Sequence, residues 1–439
     1  MDLELKIKNF GPIDKATIQV GQFTVFAGPN NTGKTFVAKM LYSILSSRNK
    51  DHVRTFFAKV SSTIESNLQL FEQSGGIVVE ESPLSSIRKG LQKIDSILRE
   101  TFPSHPVQNE LDRLRAVHPE LMAEIQGIRG HFQTLTKPSA IHGNLETSID
   151  ILEELFKDVE KAIVKGWQLR CYRNIHGNFQ ESDLLNFRGD GESPLYFNVQ
   201  RVGELQLEKG SFAFIPDSQI VQNTFPETFY LESPLYWKLK SVLESIKIDP
   251  SSLFEGSLNG VPEYFYDMAV ALRRRRIEHP FAEIHTSLYD AIGGRISLSE
   301  EGDLEFQQNG KSIPLSLTSA GVANMGMLAL LIERGALERG SFLFIDEPES
   351  NLHPAWQVEM AKFLFELSRQ GVNVVISTHS MTILKWLEVH VKEKPEDREL
   401  VRLNKFPPDA EWNDDMDAVM AEIKQSLTKP FSDLYIKGL

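Results

Sequence analysis

Hydrophobic spacing divides the chain into regions of two kinds. Near the N-terminus and again in the second half, apolar residues alternate with polar ones or form short unbroken runs, as in strands. Between about Arg48 and Arg170 they recur every three or four positions, the spacing of amphipathic helices. The pattern therefore predicts strands on either side of a mainly helical region.

The N-terminal region predicts a hairpin and a buried strand. Residues 3–8 and 16–20 alternate around Asn9-Phe10-Gly11-Pro12, and the apolar run Phe23–Phe26 follows. A helix is expected after residue 35, ending near Ser46.

In the helical region, two periodic runs are joined by residues 136–148, which include Pro138 and Gly143. The runs are Leu111, Leu114, His118, Leu121, Ile125, Ile128, Phe132 and Leu135, then Ile149, Leu152, Phe156, Val159 and Ile163. They predict two helices that pair antiparallel. Two interpretations stay open: an amphipathic hairpin that packs on the core, or a coiled coil that recruits a partner.

The second half predicts alternating strands and helices, and hence a largely parallel α/β sheet. Residues 171–210 are rich in Gly, Asn and Asp and predict loops and short strands. Strands are then expected at 211–216, 295–299, 304–308, 342–345 and 372–377, and helices at 235–247, 261–292, 320–334 and 355–369. Asn309-Gly310 predicts a hairpin turn.

The stretch from Gly28 to Thr35 has the pattern G-x-x-x-x-G-K-[ST] of a phosphate-binding loop, between a predicted buried strand and a helix. Its backbone N–H groups and the helix N-terminus would hold a polyphosphate. The side chain of Lys34 would reach the β/γ-phosphates, and the hydroxyl of Thr35 would bind Mg²⁺. The residues expected to hold the nucleotide here are Gly28, Asn30, Asn31, Thr32, Gly33, Lys34 and Thr35.

Two later strands are expected to complete this site. The apolar run 342–345 ends in Asp346 and Glu347. We expect Asp346 to share the Mg²⁺ with Thr35, and Glu347 to activate the attacking water. His379 follows the next strand, so it is expected near the same sheet edge and the γ-phosphate.

Composition limits the classes of function. The chain has 439 residues, 41% of them hydrophobic, and a net charge of −13, so nucleic-acid binding would require a local basic patch. The one concentrated basic run, Arg273–Arg276, is either solvated or paired within the chain, or it contacts nucleic acid or a partner. The single cysteine, the absence of an apolar run long enough to span a bilayer, and the lack of an apparent signal peptide favour the cytoplasm.

The motifs of this chain, and the order in which they occur, resemble those of ABC-type ATPases. The segments that carry the resemblance are 9–13, 28–35, 319–322, 346–354 and 377–380. They look most like the branch with the overcoming-lysogenisation-defect (OLD) nucleases, the RecF/SMC-like repair ATPases and the ATPase subunits of antiphage systems such as Septu and PARIS. The expected fold class is α/β, an ABC-type P-loop NTPase head with a mainly helical insertion.

The resemblance implies that two heads sandwich two ATP molecules, as a homodimer or higher homo-oligomer. Ser319 and Gly321 match the signature segment that touches ATP held by the partner, and residues 350–353 match the D-loop. Gln219 is the candidate Q-loop glutamine. The expected domains are 1–46 and 205–390 for the head, 47–204 for the helical insertion, and 391–439 for an acidic tail whose acids are expected to be solvated.

The leading hypothesis is an ATPase whose head engagement controls a separate, co-encoded effector in defence against phage. The 59 residues after Ser380 are too few for the nuclease domain of OLD proteins. Two alternatives stay open: a DNA-repair or chromosome-associated ATPase that gates a clamp on DNA, and a scaffold that binds ATP for stability. A transporter subunit fits the signature and D-loop least.

Overall fold

The computed structural model divides the chain into two compact units. It describes residues 2–48, 52–73, 83–101, 110–135, 140–179, 195–208, 211–217, 227–232, 235–240, 261–273, 281–299 and 302–437. The head unit comprises Met1–Ser46, Arg173–Ile215 and Phe225–Leu439. The helical unit is Ser47–Tyr172 with a short segment that begins at Pro216.

The head unit is built on a five-stranded parallel sheet, which confirms the predicted α/β class. Its strands are β3 (Phe23–Ala27), β7 (Thr228–Leu231), β11 (Phe342–Asp346), β12 (Asn373–Thr378) and β13 (Val401–Lys405), in the order β13-β3-β12-β11-β7. Residues of β3 and β12 are buried along their whole length, as in a sheet covered on both faces.

In sequence, helices lie between these parallel strands and after the last of them. They are α1 (Lys34–Ser47), α7 (Leu235–Lys238), α8 (Glu263–Arg273), α9 (Ala282–Ile292), α10 (Ala320–Glu333), α11 (Pro354–Arg369), α12 (Met381–Glu393) and α13 (Met416–Lys437). Aromatic side chains join two of them to the sheet: Tyr42 of α1 packs edge-on against Phe344, and Phe365 of α11 against Phe23. The predicted helix over 261–292 is wrong as a single element, because a new helix begins at Ala282 after Phe281.

A second, antiparallel sheet of the head unit has the order β2-β1-β4-β5-β6. Its strands are β1 (Leu3–Phe10), β2 (Ile13–Val20), β4 (Leu195–Val199), β5 (Gly203–Glu208) and β6 (Ser211–Pro216). The predicted N-terminal hairpin is confirmed, with Leu3 opposite Val20. A third sheet contains β8 (Arg295–Leu298), β9 (Leu304–Gln308) and β10 (Lys311–Pro314), and Asn309 and Gly310 make the predicted turn with positive φ.

The predicted loop region after Cys171 is wrong at its start, because a helix continues to Phe179. Asn174 and Asn178 are buried there, and their side-chain amides donate to the main chain or hydroxyls of Ser43 and Ser46. These buried hydrogen bonds satisfy polar groups that suggested a loop in the sequence. Since β4 and β5 belong to the head unit, the helical unit ends at Tyr172 and not at residue 204.

The predicted acidic tail is also corrected, because β13 is an edge strand of the central sheet. Leu403 pairs in register with Val25, and the strand is mostly buried. The α13 helix then buries Met416, Val419, Met420 and Ile423. The acids Glu411, Asp414, Asp415 and Asp417 are exposed, as predicted: Asp415 caps the helix, and Asp417 pairs with Arg398 at 3.0 Å.

The helical unit has a hydrophobic core of its own. Its helices are α2 (His52–Gln73), α3 (Pro83–Thr101), α4 (Glu110–Gln133), α5 (Ala140–Lys157) and the part of α6 (Val159–Phe179) up to Tyr172. The side chains of the two predicted periodic runs supply much of that core. Two boundaries differ from prediction: α5 begins at Ala140, inside the predicted linker, and the second run breaks at Asp158, whose carboxylate accepts from the N–H groups of Glu160 and Lys161.

Candidate nucleotide site

The carboxyl ends of β3, β11 and β12 lie side by side in the central sheet. In the ladder Ala27 is opposite Thr378, and Asp346 is opposite Ser377. The phosphate-binding loop therefore starts beside the two strand ends that carry Glu347 and His379. Three segments far apart in sequence converge on one sheet edge, where open α/β sheets bind their ligands.

The loop itself requires glycine at its first and sixth positions. Gly28 has a φ of +156° and Gly33 a φ of +98°, in the region that L side chains avoid. A Cβ on Gly28 would stand 2.0 Å from the carbonyl oxygen of Phe406. The backbone of the loop therefore passes close to Phe406, the residue after β13.

Lys34 is the buried cation of the loop, with only 6% of its surface exposed. Its Nζ donates to the carbonyl oxygens of Gly28 at 2.8 Å and Pro29 at 2.6 Å. Burial lowers the pKa of Lys34, and the nearby carboxylates, first Asp346, oppose that shift. A phosphate group is the natural counter-charge for a cation held in this way.

Thr35 and Asp346 lie together: the Thr35 hydroxyl is 2.9 Å from Asp346 Oδ2 and 3.2 Å from Oδ1. Burial, followed by the charge of Glu232, raises the pKa of Asp346 to about 6. A hydroxyl and a carboxylate are hard oxygen ligands of the kind Mg²⁺ prefers.

Glu347 is held in a left-handed backbone conformation, with a φ of 49°. Its N–H donates to Ser377 O at 2.8 Å, and the Ser350 hydroxyl donates to its Oε2 at 3.0 Å. His379 Nδ1 lies 3.3 Å from Glu347 Oε1. A non-glycine residue in this backbone region costs free energy and is typical of functional sites.

Ser319 and Gly321 begin α10 on a different segment. The Ser319 side chain accepts from Val322 N at 3.3 Å, as an N-cap. Gly321 packs tightly, since a Cβ there would stand 2.9 Å from Asn351 O. The residues of this chain that adjoin the predicted signature are thus those of the segment 350–352, not the phosphate loop.

Gln219 lies outside the described residues, as do residues 274–276 of the basic run. The strand before Gln219, β6, belongs to the antiparallel sheet, whereas β7 is the neighbour of β11. Glu232 follows β7 directly, pairs with Lys39 at 2.9 Å and accepts a hydrogen bond from the Tyr264 hydroxyl. Sequence analysis missed Glu232, although an acid directly after a short apolar strand was a signal for it, as it was for Asp346.

The parallel sheet, with the glycine loop between β3 and α1, is the fold of a P-loop ATPase. The chain matches the AAA ATPase domain family over residues 1–182 and 239–384, and it belongs to that family. No curated protein matches it significantly.

Several solved structures are distantly similar. The SMC head domain from Thermotoga maritima is 12% identical, with a TM-score of 0.34 over 88% of this chain and 92% of that one. A Smc head domain with an extended coiled coil, from Pyrococcus furiosus and bound to the C-terminal domain of ScpA, is 12% identical, with a TM-score of 0.30 over 91% and 100% of the two chains. Within the described residues, no helix is long and apolar enough to cross a membrane, and no cluster of three His, Cys, Asp or Glu residues could hold a metal ion.

Proposed function

We propose that this chain binds and hydrolyses ATP with Mg²⁺ at the edge of the central sheet. The observation that carries the proposal is the meeting of Thr35 with Asp346, 2.9 Å apart across 311 positions of sequence, beside the buried Lys34. The oxygen ligands suit Mg²⁺, and the backbone N–H groups of a glycine-rich loop suit a phosphate chain.

In this proposal the residues have separate roles. The loop N–H groups, the N-terminus of α1 and Lys34 bind the phosphates, and Thr35 and Asp346 hold Mg²⁺, which neutralises charge on the phosphate oxygens. Glu347 accepts a proton from the attacking water, and His379 contacts the γ-phosphate. The hydrogen bond from Ser350 to Glu347 Oε2 helps to fix the base.

The test separates binding from hydrolysis. Glu347→Gln should keep the affinity for ATP and Mg²⁺ within a few fold and lose about 10²-fold or more in turnover, because an amide cannot accept the proton. Glu393→Gln, at the exposed end of α12, is the matched control and should match the wild type. Wild-type turnover in the Glu347 variant would remove this residue from the mechanism.

We also propose that two heads share their sites. Ser319, Asn351 and His353 are exposed, and Leu317 beside them is 75% exposed, an unusual position for a large apolar side chain. In a dimer of heads, this surface would bring Ser319 and the start of α10, which contains Gly321, into contact with the ATP bound by the partner. Mixing Lys34→Ala with Ser319→Arg subunits should then partly restore turnover, since each mixed dimer contains one intact site. No recovery in heterodimers shown to form would reject the shared site.

The resemblance to antiphage ATPase subunits supports a further step in the proposal, control of a separate effector by head engagement. The purified chain should then hydrolyse ATP and leave DNA and RNA uncut. Cleavage of either by the chain alone, unaffected by Glu347→Gln, would reject a separate effector.

A further inference from the structure

Glu349 is a buried carboxylate beside the proposed catalytic base that no step of the proposed mechanism uses. It lies two residues after Glu347 and is only 6% exposed. A charged side chain is rarely buried to this extent without a specific set of partners. Its contacts therefore show what it does in the site.

One oxygen of Glu349 binds the end of β12. Its Oε1 accepts from the Thr378 hydroxyl at 2.7 Å and from the backbone N–H of His379 at 2.9 Å. Its Oε2 is buried and has no hydrogen-bond partner in the described part of the chain. The carboxylate thus holds the backbone at which the His379 side chain begins.

The same oxygen also approaches the imidazole ring. Nδ1 of His379 lies 3.4 Å from Glu349 Oε1 and 3.3 Å from Glu347 Oε1, at angles that complete a hydrogen bond with neither. A ring nitrogen between two carboxylate oxygens is favourable only when it carries a proton. Nε2 is then the nitrogen left to contact a ligand.

A second link joins the same two segments. The Gln357 side chain donates to Leu352 O at 3.0 Å and accepts from the Ser380 hydroxyl at 2.8 Å. Ser380 in turn caps α12 by accepting from Ile383 N at 3.2 Å. The segment 349–353, which includes the exposed Asn351 and His353, is therefore bonded to the residues on both sides of His379.

We propose that Glu349 is the positioning residue for His379. Its negative charge, 3.4 Å from Nδ1, favours the tautomer with the proton on that nitrogen, and its hydrogen bonds to Thr378 and His379 N fix the backbone from which the ring extends. The conformation of the partner-facing segment 349–353 therefore determines whether His379 can reach the γ-phosphate. This inference rests on the proposed ATPase function and adds a route by which head engagement controls hydrolysis.

The kinetic test is a double-mutant cycle. Glu349→Gln keeps an oxygen that accepts from Thr378 and His379 N but removes the charge. It should lower kcat about 10-fold or more, with the KM for ATP within about twofold, because a misplaced catalytic group costs rate more than ground-state binding. In a His379→Ala background the same change should alter kcat less than twofold. Equal losses in both backgrounds, or wild-type kcat in Glu349→Gln, would overturn the proposal.

A second measurement does not depend on turnover. In protein labelled with ¹⁵N-histidine, the ring signals of His379, assigned with His379→Ala, should show a protonated Nδ1. They should shift in Glu349→Gln and stay in place in Glu393→Gln, at the exposed end of α12. Unchanged His379 signals in Glu349→Gln overturn the positioning role even if the chain has no ATPase activity, whereas absent turnover with shifted signals rejects only the proposed function.

Discussion

The two units of this chain differ in whether they bury charged side chains. Among the described residues, each buried charged side chain belongs to the head unit: Lys34, Glu227, Lys240, Glu349 and Asp397. The helical unit keeps its charges at the surface or half-buried, as in the pairs of Arg88 with Glu72 and Arg129 with Glu153. Burying a charge is costly, and two of these five residues, Lys34 and Glu349, lie in the proposed nucleotide site.

The comparison predicts that variants of the two units fail in different ways. Core changes in the helical unit should lower the free energy of unfolding and leave the chemistry of each folded molecule intact. Changes in the buried charges of the site should lower ATP binding or turnover and leave the free energy of unfolding close to the wild-type value. The following experiments test this separation.

The largest effect is expected in the core of the helical unit. Phe156 is fully buried in α5 and faces Phe57, with 6.5 Å between the ring centroids. Phe156→Ala should destabilise the unit by about 3–5 kcal/mol through the cavity it leaves, measured by denaturant unfolding. ATP binding per folded molecule should not change. Ile151→Ala, at a position of the same helix that is 45% exposed, is the control and should cost little.

A loss of ATP affinity of about 100-fold, or about 3 kcal/mol, is expected for Lys34→Ala, because the backbone of the loop alone then holds the phosphates. The midpoint temperature of thermal unfolding should stay close to the wild-type value. Equilibrium titration with a fluorescent ATP analogue measures the affinity, and Lys15→Ala on an exposed position of β2 serves as the control. Unchanged affinity in Lys34→Ala would show that the loop does not bind ATP.

The smallest effect concerns ordinary electrostatics within the head unit. Glu388 accepts from Lys424 at 2.9 Å and from Lys385 and Lys392 at 3.0 Å, and hydrogen bonding, first from Lys424, lowers its pKa from 4.5 to about 2. A carboxyl with a lowered folded-state pKa stabilises the protein above its unfolded pKa and loses that contribution as pH falls towards the folded value.

Glu388→Gln should therefore cost about 1 kcal/mol at pH 7, and the difference from wild type should shrink as pH falls from about 4.5 towards 2, the window between the two pKa values. Thermal unfolding between pH 7 and pH 3 measures it. A difference that stays constant over this range would mean that lost packing, and not lost charge, causes the effect.

Local sequence was sufficient for the elements with strong patterns. The phosphate loop, the apolar strand before Asp346 and the helix after Ser319 have signals that lie within a few residues, and the structure has all three elements. The periodic runs of the helical region likewise predicted its core, because helix amphipathicity is a local property.

Elements defined by distant partners were missed. The strands β7 and β13 are only four and five residues long, and each is a strand because it pairs with a segment far away, β11 or β3. The helix over 171–179 was mistaken for loop because Asn174 and Asn178 resemble loop residues until Ser43 and Ser46 supply their partners.

By itself the sequence determined the class of the fold, the phosphate loop and the acids Asp346 and Glu347 at the end of the strand β11, because each depends on neighbours in the chain. Only the tertiary structure decided that Glu232 joins the site and that Glu349, two residues past Glu347, turns away from solvent to bind Thr378 and His379. Such roles depend on burial and on partners brought together by sheet order, which spacing along the chain does not encode.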